Sequence, residues 1–206
     1  MTSPRVLAIA VSLLSLAACS AGTPPSTPAA SAAVATTSKP AAASATVYSY
    51  SELDLCAVTD LKPLADLKLT LQDKRRALPS GRKKGEGEAC LHEMKTSSGQ
   101  IARLTVEAIL AKSADEATSI YRAATQDSMK SDGVVAGLGE QAEGRWLDTE
   151  SGYKHSEYLV HARNGNLHIS VWLAVGGSSF TPKETLAPKV KAVAEATYAT
   201  VTSTWK

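Results

Sequence analysis

The chain has 206 residues, with 22 Lys and Arg against 20 Asp and Glu. Arg5 and Lys39 are the only charged residues before Val47, so the rest carries 20 of each sign and is formally neutral, which excludes a partner chosen by net charge. A domain of about 160 residues can bury one core without metal or cofactor, and one Phe, six Tyr and three Trp make that core chiefly aliphatic.

Residues 1–18 read as an export signal. A short n-region ends at Arg5, an apolar run covers Val6 to Leu16, and small residues follow. That run is too short for a stable membrane span, and nothing beyond it is apolar for long enough to cross. Leu16-Ala17-Ala18-Cys19 resembles the lipobox of bacterial lipoproteins. The resemblance implies cleavage before Cys19, a diacylglyceryl group on its thiol, and anchoring at the extracytoplasmic face of the cell membrane. Two acyl chains hold a protein firmly where one does not. From Ser20 to Thr46 the chain is almost entirely Ala, Ser, Thr and Pro, which cannot offset its ordering entropy and reads as a disordered tether. Its root-mean-square reach is about 30 Å.

Residues 47–206 read as a single globular domain. Helical turns are expected around Cys56 and from Thr59 to Leu67, with Pro63 in the first turn where no donor is needed. With Cys19 taken by lipid, only Cys56 and Cys90 remain in an oxidising compartment, so a disulfide is expected, with two buried free thiols as the alternative. Asp73 to Lys84 forms a basic segment, with Lys74, Arg75, Arg76, Arg82, Lys83 and Lys84 against one acid. Cys90–Met94 and Ile101–Leu110 read as strands joined by Thr96-Ser97-Ser98-Gly99. Ser113-Ala114-Asp115-Glu116 is a capping box opening a helix to about Gln126, with Ala117, Ile120, Tyr121 and Ala124 inward. Gly137-Leu138-Gly139 is a turn into a strand near Ala142–Leu147.

Lys154–Arg163 and Asn166–Val175 flank Asn164-Gly165, a strong type I′ hairpin signal. That turn pairs Arg163 with Asn166 and Val160 with Ile169, and puts every apolar member on one face. A last helix runs to about Thr204, starting at Pro188 or kinked there. The sum is an α+β fold, an antiparallel sheet with helices packed on one side.

The same register places His161 opposite His168, with Leu159 and Trp172 on their face. Two imidazoles suit a metal, but Glu157 is about 13 Å from His161 along a strand, so no third ligand is at hand and no metal is expected. Leu159, His161, His168 and Trp172 are instead candidate ligand contacts, if no other element covers them. Catalytic signatures are absent. Gly176-Gly177-Ser178-Ser179 is not a nucleophile elbow, His92-Glu93 lacks the second histidine of a metalloprotease, and Gly81–Gly87 is not a phosphate loop. No enzyme activity and no cofactor are expected. The basic segment is a second candidate, for an anionic envelope polymer or an acidic protein. Nucleic acid is not expected, because no aromatic residues interleave these charges.

Asp54-Leu55-Cys56 followed by Cys90, Gly137-Leu138-Gly139-Glu140-Gln141-Ala142, and Arg163-Asn164-Gly165-Asn166 leading a strand, taken with the lipobox and tether, resemble small actinobacterial lipoproteins grouped under a domain of unknown function. They are also similar to the extracellular sensor domains of mycobacterial Ser/Thr kinases. The resemblance implies a disulfide and an antiparallel sheet flanked by helices, sometimes with a cleft. It implies a sensor-like binding role, with no activity to carry over. The chain departs from the kinase sensors in lacking a transmembrane helix, a kinase domain and a second cysteine pair.

Overall fold

The computed structural model describes residues 46–125 and 128–206. The signal peptide, Cys19, the tether up to residue 45 and the helix end at Gln126 lie outside the described residues. Seven antiparallel strands form one sheet in the order β1-β2-β3-β7-β6-β5-β4. They are β1 (Thr70–Ala77), β2 (Gly87–Lys95), β3 (Ile101–Leu110), β4 (Lys130–Val134), β5 (Gln141–Glu150), β6 (Lys154–Asn164) and β7 (Leu167–Gly177). The helices are α1 (Leu55–Val58), a 3-10 helix (Lys62–Leu67), α2 (Ala114–Ala124) and α3 (Lys183–Thr204). This is the expected α+β class, but the helices do not share one side: α3 packs on one face of the sheet and α2, with Tyr121 on His161, on the other.

The central strands alternate as a sheet with one strongly apolar face must. Leu104, Val106 and Ala108 of β3, Ile169, Val171 and Leu173 of β7, and Val160 and Ala162 of β6 point to one side. The helical layer packs there, led by Leu186, Val190, Val193, Ala194 and Val201 of α3. Helix α3 starts at Lys183, not at Pro188, which sits inside it. Proline there removes one early N–H, a loss the second turn tolerates when the face beyond it is fully packed. Trp205, just past α3, is fully buried and donates its indole N–H to Ser51 O at 2.6 Å.

Cys56 of α1 and Cys90 of β2 are joined as a disulfide with Cα atoms 5.1 Å apart. Asp54 caps α1 by accepting from the Cys56 and Ala57 amides. Ser113 caps α2 by accepting from Glu116 N, while the Glu116 carboxylate accepts from Lys112 N. Of the helix residues expected to face inward, Ala117 is buried and Ile120, Tyr121 and Ala124 are half-buried.

The hairpin forms with a different register. Asn164 pairs with Leu167, Ala162 with Ile169 and Val160 with Val171, so the turn residues are Gly165-Asn166. Gly165 has φ +54, which fits a turn with glycine first. Asn166 is then spent inside. Its side chain accepts from Tyr48 N at 2.7 Å and donates to the carbonyls of Tyr48 and Ala111. Asn164 donates to the hydroxyls of both Tyr48 and Tyr198 at 2.7 Å. The hairpin tip thus clamps the entering chain to β6–β7 and α3.

Both sheet edges are strands that the hydrophobic pattern does not mark. The first half of the basic segment is edge strand β1, and Lys130–Val134 is edge strand β4. Each carries a bulge and charged side chains, the features that keep an open edge from pairing with other chains.

Candidate functional site on the uncovered half of the sheet

The face turned away from α3 holds the four candidate ligand contacts, and the structure divides them. Helix α2 lies over one end, where the Tyr121 ring stacks on His161 with centroids 4.5 Å apart and planes 23° apart. His161 and His168 are both buried, and Leu159 nearly so. The expected facing of the histidines is corrected by the register. His161 pairs with Ser170 and His168 with Arg163, so the two rings are diagonal neighbours with centroids 6.2 Å apart. Among the described residues no group of three His, Cys, Asp or Glu is placed to hold a metal.

This covered end is electrostatically tense. Burial, then the neighbouring His161 and Arg82, push the His168 imidazole down to about 3. Burial raises Glu107 on the adjoining strand, partly opposed by a hydrogen bond from Ser170 Oγ at 3.3 Å. Arg82 reaches this end because it pairs with Glu116 in the first turn of α2 at 2.7 Å.

Trp172 marks the boundary. Past it no described element covers the face, and a groove of about 350 Å³ is lined by Ile101, Arg103, Tyr153, His155, Glu157 and Trp172, among others. The Trp172 indole donates to Glu157 Oε2 at 3.0 Å, which fixes both side chains on the groove wall. Tyr153 and His155 pack with ring centroids 4.0 Å apart and planes tilted by 54°. Ala174 lies between these walls, and Gly176, next along the same face, is buried against the Tyr153 ring. A Cβ at Gly176 would sit 3.2 Å from the Tyr153 ring, so glycine lets that ring lie flat on the strand. Sequence reasoning found Trp172 but missed the other wall residues. Their signal was the small–small pair Ala174 and Gly176 following a tryptophan on one face.

Trp146, considered for the same surface, points the other way. It pairs with Tyr158 on the α3 face, and Lys130 and Lys183 sit over its ring at 4.8 and 5.7 Å. Beside it Tyr158 donates to Asp132 at 2.7 Å, and Lys183 does so at 2.6 Å. Burial opposes ionisation of Asp132, yet these bonds and Lys191 hold its carboxyl below the usual range.

The six cations do not form one patch. Lys74 and Arg76 point to the α1 side and Arg75 to the other. Arg76 lies within 4.0 Å of carboxylates of Glu52, Asp54 and Glu88, and Lys74 donates to Cys56 O at 3.3 Å. Arg75 pairs with Glu93 and Arg82 with Glu116. Of these six, Lys74, Lys83 and Lys84 form no ion pair among the described residues. A cavity of about 400 Å³ beside Arg76 and Lys84 is walled by Glu52 and Glu88, so its charges already balance. Tyr50 donates to Glu88 at 2.5 Å, and that bond, with burial, raises its phenol to about 12.

No helix of the described residues is long and apolar enough to cross a membrane. Comparison with protein-family models, with curated proteins and with solved structures finds no match.

Proposed function

We propose that this chain is a lipid-anchored lipoprotein of the cell envelope whose domain is a non-catalytic binding module, with its ligand in the Trp172 groove. Residues 1–18 direct export, Cys19 carries the diacylglyceryl anchor, and residues 20–46 lift the domain from the headgroups. The observation that carries the binding site is the half-covered sheet face. One end is covered by α2, while the other keeps a tryptophan, a tyrosine, Glu157 and the paired Arg103 open around Ala174.

The arrangement of the ends supports this reading. The chain enters the domain at Tyr48, beside the hairpin tip at Asn164–Asn166. His155 and Gly176 lie about nine residues away along β6 and β7, about 30 Å at strand rise. A tether attached at the tip leaves the groove at the opposite end of the strands. Docking through the basic residues is the weaker reading, because four of the six are already engaged by acidic partners or a carbonyl.

Two measurements test the proposal. Labelling with a fatty-acid probe is expected to mark the intact chain and to be lost in Cys19→Ser. Unmodified protein retaining its leader would overturn the anchor. Amide and indole NMR shifts with N-acetylglucosamine, a tripeptide and laurate are expected to centre on Trp172, Glu157 and Ala174. Shifts centred on Arg82–Lys84 would overturn the groove.

A further inference from the structure

The groove does not end at Arg103. A second depression of about 280 Å³, lined by Gln72, Glu93, Met94, Lys95, Ile101 and Arg103, shares Ile101 and Arg103 with it. In sheet order the two linings run from Gln72 on β1 through β2, β3, β7 and β6 to Thr149 on β5, without skipping a strand. Five inter-strand spacings of about 4.8 Å make a trough about 24 Å long, crossing the strands. That is the shape for an extended chain, not for a compact molecule.

The lining narrows the chemistry. Its charged side chains are two cations, Arg103 and Lys95, and two carboxylates, Glu93 and Glu157. Arg103 already pairs with Glu93 at 3.6 Å, and Glu157 is held by Trp172. The four charges of the lining sum to zero, so a polyanion would find no net positive field there and would have to displace Glu93 from Arg103. An acyl chain would meet ionised groups in mid-trough, which are costly to strip of water. An extended peptide is usually captured by main-chain bonds along a free sheet edge, whereas the trough crosses the sheet, and over β2, β3, β7 and β6 the main-chain groups are paired on both sides. What remains is a ligand with apolar faces for Trp172 and Tyr153 and many neutral hydroxyl or amide groups for Thr149, Ser151, His155 and Gln72. A sugar ring presents both.

We infer that the trough joining the two depressions through Ile101 and Arg103 binds a linear, uncharged glycan chain across the sheet. This rests on the groove being the ligand site and adds the class and direction of the ligand.

The test compares N-acetylglucosamine, its linear β-linked hexamer, heparin and laurate as probes of the intact protein, followed by Trp172 fluorescence and amide NMR. The hexamer is expected to bind at least about tenfold tighter than the monomer. Its shifts should extend from Ser151 and Trp172 to Glu93 and Lys95, and its affinity should change little between low and high salt. Ala174→Leu, which fills the trough floor on the solvent side, should abolish hexamer binding while leaving the thermal midpoint near its original value. Equal affinity for monomer and hexamer, or shifts confined to the Trp172 side, would overturn the trough. Heparin or laurate shifting Trp172 when the hexamer does not would overturn the glycan class and leave the groove standing. Silence at Trp172 with all four probes would overturn both.

Discussion

Acid should unfold this domain earlier than its carboxylates alone require, and His168 is the reason. The ring is 3% exposed and lies under α2 among His161, Arg82, Arg163 and Glu107, with Tyr121 stacked on the adjacent His161. Its folded value of about 3 lies below the ordinary 6.5. The unfolded chain therefore binds the extra proton between those two values, and stability rises with pH across that window. The contribution is intact above pH 6.5, falls by about 2 kcal/mol at pH 5, and approaches a total loss of about 5 kcal/mol below pH 3. His92, lowered chiefly by burial, adds in the same direction, while Glu107, raised by burial, acts in the opposite one. Comparing variants removes these shared terms. Urea unfolding of the wild type and of His168→Phe, at pH 7.5, 6.5, 5.5 and 5.0, should show the variant losing about 2 kcal/mol less than the wild type over that span. Equal losses would mean that the imidazole is hydrated or carries its proton in the fold, and the argument from burial would fail.

Three further perturbations follow from the packing. Reducing Cys56–Cys90, or replacing both with Ser, should cost about 4 kcal/mol in the chain-entropy account of a bridge closing 34 positions, read as a lowered urea midpoint in reductant. Trp205→Ala should cost about 3–5 kcal/mol, because it empties a fully buried site and orphans Ser51 O; an unchanged thermal midpoint would mean that the C-terminus is not docked. Asn166→Ala leaves the buried Tyr48 main chain without its partners, for a loss of about 2–3 kcal/mol, and hydrogen exchange at Tyr48 should speed up before the core amides do.

The hairpin shows what a sequence can and cannot decide. Alternation placed Val160, Ala162, Ile169 and Val171 on one face, and they share it. Moving the turn from Asn164-Gly165 to Gly165-Asn166 shifts each strand by one position, so the pair sum changes by two. Every side chain keeps its face, and the hydrophobic pattern fits both registers equally well. The choice falls to polar contacts that are remote in sequence, above all Asn166 with Tyr48, 118 positions away. The two edge strands were illegible for a related reason. Thr70–Ala77 is exposed along nearly its whole length, and so is Lys130–Val134, so neither carries the apolar alternation that marks a buried strand. The disulfide was legible because cysteine count and compartment left one pairing. Most of the groove wall was not, since Tyr153, His155 and Arg103 come together only once β3, β6 and β7 are neighbours.

The open half of the face follows from a mismatch of lengths. Helix α2 has 11 residues and is about 16 Å long, while β6 and β7 have 11 residues each and extend about 36 Å. One helix of that length cannot cover the face. The residues divide accordingly. Beneath α2 stand the buried rings of His161 and His168, the latter kept neutral chiefly by burial, and the helix is pinned there by Arg82 through Glu116. Beyond its reach the face changes to Glu93 and Arg103, which pair with each other, and Glu157, held by the Trp172 indole, around Ala174, which leaves room above the strands. Were the uncovered end only a defect of coverage, large apolar residues there would destabilise the domain and polar ones would scatter without partners. Instead Arg103 is paired with Glu93, the tryptophan is held to Glu157 by its indole N–H, and the small Ala174 leaves room between them. That organisation is what separates a binding surface from an unfinished core.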